Sequence, residues 1–107
     1  MSITVNLYYT GKNGAAKRFA EEMEYSGTAQ AIRDKSGNAR YEYFLPVSDP
    51  ETVLLIDSWK DQTALDAHHA SPEMQTILSL REKYGLSVRA ERFIPEPPPE
   101  NDEKFIK

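Results

Sequence analysis

The sequence predicts an α+β domain of ferredoxin-like architecture, β-α-β-β-α-β, with an antiparallel sheet and helices on one face. Two observations point there. Four stretches carry strand patterning, two carry helical periodicity, and they follow one another in that order. The run Val53-Leu54-Leu55-Ile56 is apolar without alternation, which implies a strand covered on both faces. One helix layer covers only one face, and no internal repeat supplies a second. A second copy of the chain is therefore expected on the other side, giving a homodimer, a dimeric α+β barrel.

The first strand spans Ile3 to Thr10, with Ile3, Val5, Leu7 and Tyr9 on one face and Thr4, Asn6 and Tyr8 on the other. Asn6 is unusual inside a strand. It is either an exposed edge amide or a polar group aimed into a pocket. Gly11 to Gly14 is a turn. Ala16, Phe19, Ala20, Met23 and Gly27 then form an amphipathic stripe, which predicts one helix from Ala15 to Lys35. Gly27 marks either a bend or a close approach to the sheet, and Gly37 is a natural stop. Ala39 to Pro46 is the second strand, and it forms a hairpin with the third, which starts at Val53 and ends at Trp59.

Asp61 is a good N-cap for a short helix carrying Leu65, His68 and His69. Ser71-Pro72-Glu73 restarts a helix, with Ser71 as cap and Pro72 in the first turn. Met74, Ile77, Leu78 and Arg81 follow along it, with Tyr84 later, and Gly85 ends it. Leu86 to Ile94 is the fourth strand. The segment from Pro95 to Glu100 is too rich in proline for sheet or helix interior and reads as an extended arm with an apolar tip, Phe105-Ile106. The expected organisation is a domain over residues 1–94 and a Pro-rich arm over residues 95–107.

Composition narrows the function. The chain has 107 residues, net charge −4 and no cysteine. Nucleic acid is a poor partner for a chain without a basic patch. Thiolate chemistry and cysteine metal sites are excluded. No apolar run approaches the ~18 residues of a membrane span. The expectation is a cytoplasmic protein without a membrane partner. No phosphate-binding glycine loop and no Ser/His/Asp motif in a recognisable frame occurs.

The corner where the third strand delivers the only tryptophan, Trp59, and the next helix brings back His68 and His69 is the candidate site. Asp57 shares the strand face of Trp59 and calls for a partner such as Arg40 or a hydroxyl. Adjacent histidines lie about 100° apart on a helix, so one faces the sheet and the other solvent. They lack the i, i+4 spacing of a shared ion, so no metal is expected. Tyr41 could offer a hydroxyl, and Leu65 lies on the same side of the helix as His68. Each of these residues has a plain structural alternative: a core tryptophan, a core-edge histidine, a routine sheet tyrosine.

Over residues 3 to 94 the chain resembles the antibiotic biosynthesis monooxygenase domain, which includes cofactor-independent quinol monooxygenases. The carriers are Lys12-Asn13-Gly14, Ser36-Gly37-Asn38-Ala39-Arg40-Tyr41-Glu42, Ile56-Asp57-Ser58-Trp59-Lys60-Asp61 and Ala64-Leu65-Asp66-Ala67-His68-His69-Ala70-Ser71-Pro72. The pattern departs at several places. Asp57 stands where a Glu is common, and Glu73 where a second His often stands. Leu55 and Leu65 replace the Asn and Tyr that flank the tryptophan in the antibiotic-type enzymes. Asn6 matches an Asn of the haem-degrading branch, whose haem ligand falls near Leu78.

The resemblance implies a face-to-face dimer and a small aromatic substrate oxidised with molecular oxygen, without a cofactor. It implies His68, Asn6 and Trp59 as catalytic residues; by strand face and position at the corner, Tyr41, Asp57, Leu65 and His69 are the expected substrate-binding residues. Asn6, Tyr41, Asp57, Trp59 and His68 are expected to line one pocket between sheet and helices. The alternatives are a non-enzymatic small-molecule binding dimer and, from a related branch, an isomerase of a phosphorylated signalling sugar.

Overall fold

A computed structural model describes residues 2–106; Met1 and Lys107, the ends of the expected domain and arm, lie outside the described residues. The elements are β1 Ile3–Thr10, α1 Ala15–Tyr25, α2 Thr28–Arg33, β2 Asn38–Phe44, β3 Thr52–Trp59, α3 Gln62–His69, α4 Pro72–Lys83, β4 Ser87–Phe93 and α5 Glu100–Glu103. The sheet order is β2-β3-β1-β4, and every neighbouring pair is antiparallel. This is the predicted ferredoxin-like arrangement, with the helices on one face.

Strand register fixes what each face carries. Ile3, Val5, Leu7 and Tyr9 of β1 stand opposite Trp59, Asp57, Leu55 and Val53 of β3. This face meets the helices: Phe19, Met23, Ile32, Leu65, Ile77 and Leu80 close the core over it. The outer face presents Thr4, Asn6 and Tyr8 beside Ser58, Ile56 and Leu54. There Leu54 and Ile56 are only half-buried.

Two expectations need correction, the single helix over residues 15–35 and the fully extended arm. The single helix over residues 15–35 is two helices, broken at Ser26-Gly27, where Gly27 adopts φ 82°. No atom lies within 4 Å of where a Gly27 Cβ would be, so the glycine serves the backbone turn and not a close approach. Arg33 then ties α2 down, donating to the Tyr41 carbonyl at 2.7 Å and pairing with Glu24 of α1. In α4 the buried residues are Ile77 and Leu80, and Leu78 is 43% exposed. Finally, the arm is extended only as far as Pro99, after which Glu100–Glu103 form one helical turn.

Candidate active site

β3 carries Asp57 and Trp59 onto the inner face, and α3 folds back across them. The return is set by Asp61, whose Oδ1 accepts from the Ala64 amide at 2.8 Å. It ends at Ser71, whose Oγ donates to the His68 carbonyl at 2.6 Å and accepts from the Met74 amide at 3.3 Å. One hydroxyl thus closes α3 and opens α4, fixing the backbone at His68. Leu65 and His68 turn inward and His69 is exposed.

The His68 ring lies on the Trp59 indole, with centroids 4.8 Å apart and planes 22° from parallel. Trp59 is 1% exposed and His68 3%. Behind them, the Trp59 indole N–H donates to Asp57 Oδ1 at 2.7 Å. The expected partner Arg40 sits on the outer face and pairs with Glu42 instead, at 2.7 Å. Burial pushes the Asp57 carboxyl up to about 7, against the lowering effect of the Trp59 and Asn38 donors. Burial also pushes His68 down to about 4, helped by His69 and Lys35 and opposed by Glu73. The imidazole is therefore uncharged near neutral pH. Its Nδ1 is buried without a hydrogen-bond partner.

Tyr41 stands edge-on to His68, with centroids 6.4 Å apart. Its hydroxyl is shared with that of Tyr43 at 3.2 Å. Burial raises both phenols far above their ordinary value, so neither is ionised near neutral pH.

Trp59 and His68 form one wall of a cavity of about 540 Å3. The rest of its lining comes from the loop Lys35-Ser36-Gly37, from Lys60 and Asp61, and from Thr63, Ala64 and Ala67 of α3. Gly37 lets the loop close against that helix: a Cβ there would stand 2.6 Å from the Ala64 Cβ. The Lys60 amide donates to the Gly37 carbonyl at 2.9 Å and holds the loop to the end of β3.

The expected single pocket is only partly assembled. Trp59 and His68 face the cavity. Asp57, Tyr41 and Leu65 are buried behind that wall and do not line it. His69 lies outside, its ring 5.8 Å from that of His68. Asn6 is on the opposite face of the sheet, between Ile56 and Glu91, with its Oδ1 buried and unpartnered. The reason is pairing register: Ile3 and Val5 oppose Trp59 and Asp57, so Asn6 falls one residue out of phase. Sequence reasoning missed Lys35, Gly37 and Lys60 as pocket residues. Their only signals were a helix stop and a turn.

Among the described residues, no group of three or more His, Cys, Asp or Glu side chains is placed to hold a metal ion. No described helix is long and apolar enough to cross a membrane. A second groove, of about 610 Å3, lies at the other end of the inner face, lined by Ala20, Tyr25, Tyr43, Phe44, Leu45 and Val53 with Lys17, Glu21 and Glu24. It is larger, but it offers no imidazole and no buried carboxylate. The candidate active site is therefore the Trp59 corner.

The family model of the antibiotic biosynthesis monooxygenases matches residues 2–79. The chain belongs to this family. The family match takes in the whole Trp59–His68 corner. One relative, the Bacillus subtilis (strain 168) protein named "Putative monooxygenase YcnE", is 27% identical over 77 residues, covering 72% of this chain and 79% of its own. Among solved structures, SnoaB of Streptomyces nogalater, a cofactor-independent oxygenase solved as a point mutant, superposes with a TM-score of 0.74 at 15% identity, over 92% of this chain and 97% of its own. A conserved protein from Methanosarcina mazei Go1 gives 0.77 at 18% identity, over 90% and 94%. At these identities the structures speak for the antibiotic biosynthesis monooxygenase fold.

Proposed function

We propose that the protein is a cofactor-independent monooxygenase that oxidises a small aromatic quinol or phenol with molecular oxygen. The observation that carries this reading is the stacked Trp59–His68 pair on the wall of a cavity, with an imidazole that burial keeps uncharged near neutral pH. At about 540 Å3 the cavity has room for a small flat ring. An uncharged imidazole has a lone pair to take a hydroxyl proton.

For a quinol with a free ring C–H, the reaction balances without an external reductant. Quinol plus O2 gives the hydroxylated quinone plus water. The substrate supplies all four electrons, one oxygen atom enters the ring, and the other leaves as water. The protein's part is to take the phenolic proton, exclude water and hold the ring. The burial that lowers His68 to about 4 also weakens it as a base, so the imidazole takes the proton only as electrons leave the ring for oxygen, and then gives it up to reduced oxygen. Asp57 holds the indole through its hydrogen bond. Asn6, on the other face, has no part in this step.

Oxygen uptake with a panel of quinols, measured without metal or flavin, tests the reading. The wild type should consume oxygen with at least one of them. His68→Ala should lower turnover by about 10²–10⁴-fold, while quinol binding survives in the rest of the cavity. Full oxygen consumption by His68→Ala would show that the base is misassigned. If the wild type turns over no quinol, the chain is a small-molecule binder on the same fold.

A further inference from the structure

The Trp59–His68 cavity has a charged mouth as well as an aromatic wall. Lys35 and Lys60 both line it. Lys35 is spoken for, its Nζ being 2.6 Å from Glu73 Oε1. Lys60 has no ion-pair partner among the described residues. Its stem is held beside the loop, with Cε 3.6 Å from the Cβ position of Gly37. The only carboxylate in the lining, Asp61, is engaged as the cap of α3. The mouth therefore presents one uncommitted ammonium, next to a wall of two stacked rings that are almost wholly buried.

We propose that the ligand of this cavity is a flat aromatic bearing an anionic substituent, with its ring in the cavity beside the edge of the Trp59–His68 pair and its anion at Lys60. The inference rests on the functional reading above for the site and adds the chemical class of what enters it. A neutral aromatic would leave the ammonium unused. A ligand with an ortho carboxylate meets both features at once, because an acid group beside a phenolic hydroxyl lies within one ring width of the wall. Lysine suits this role as a compact charge on a flexible stem that can follow the substituent.

The probes are 1-hydroxy-2-naphthoate and 1-naphthol, which share ring and hydroxyl and differ in the carboxylate. Trp59 is the only tryptophan, so its indole N–H gives one NMR resonance that reports on the wall. Both probes should move that resonance, and the naphthoate should bind about fivefold tighter, the upper range for one partly exposed charge pair. Lys60→Met should remove the difference between the two ligands, as should salt near 1 M. Equal affinities in the wild type, or a preference that survives Lys60→Met, would overturn the proposal. So would ribose 5-phosphate shifting the resonance at lower concentration than the naphthoate, which points to a phosphorylated sugar. The two readings fail separately. Quinol turnover without any naphthoate preference sinks the anionic ligand alone. Naphthoate preference without any quinol turnover sinks the monooxygenase alone.

Discussion

Asp57 and His68 are buried in one corner and titrate in opposite directions. Asp57 is raised from 3.8 to about 7, so the folded protein binds its proton more tightly than the unfolded chain does. Its contribution to stability is present at low pH and is lost as pH rises from about 4 to 7. His68 is lowered from 6.5 to about 4, so the unfolded chain binds the proton more tightly. Its contribution is lost as pH falls from about 6.5 to 4. The two slopes have opposite signs, each at most about 1.4 kcal/mol per pH unit, and they offset each other in that window. Asp57→Asn keeps an acceptor for the indole and removes one titration; His68→Gln removes the other. Relative to wild type, Asp57→Asn should gain stability as pH rises through the window, and His68→Gln should lose it. Urea unfolding at several pH values measures both, and variants whose difference from wild type is flat with pH would contradict the assignment. Which strand residues face one another was readable by parity for Asp57 and Trp59. For Asn6 it was not, because parity within β1 does not say how β1 aligns with β3.

At the scale of elements, capping chemistry was the most legible part of the sequence. Asp61, Ser71 and Pro72 stand where the structure starts α3 and α4. Helical periodicity was less decisive. In α4, a stripe through Met74, Leu78 and Arg81 and one through Ile77, Leu80 and Tyr84 both satisfy i, i+3 or i, i+4 spacing. Contact with the rest of the core selected the second. Gly27 gave two readings, and only the backbone angle separates them. The arm remains the least anchored element: residues 95–106 are exposed throughout, and Phe105 is 81% exposed. A proline-rich segment loses little entropy on ordering, and its apolar tip finds no landing site in its own chain. We expect it to lie along a partner subunit. Truncation after Ile94 should weaken the dimer and lower its melting temperature; an unchanged dimer affinity and melting temperature would refute the clasp.

For the whole molecule, the outer sheet face is the unfinished surface. Across it, Glu42, Ile56, Asn6 and Glu91 stand in one row. The edge strands β2 and β4 run in opposite directions and each carries the order Arg-x-Glu-x-Phe, Arg40 to Phe44 and Arg89 to Phe93. Such a face can meet its own copy. We expect a homodimer through this face, and sedimentation at micromolar concentration should give about twice the 12.2 kDa chain mass; a folded monomer would contradict it. The fold and its doubly apolar strand were legible in the sequence. The pocket mouth was not, because the loop Lys35-Ser36-Gly37 reaches Trp59 only in the folded chain.

The account turns on oxygen transfer at the Trp59–His68 cavity. Its most direct test is turnover of a quinol substrate under 18O2 by protein freed of metal and flavin, with the product analysed by mass spectrometry. The account predicts one 18O atom in each hydroxylated quinone and the other in water. Product carrying oxygen only from solvent, or plain quinone with hydrogen peroxide and no ring hydroxylation, would contradict it.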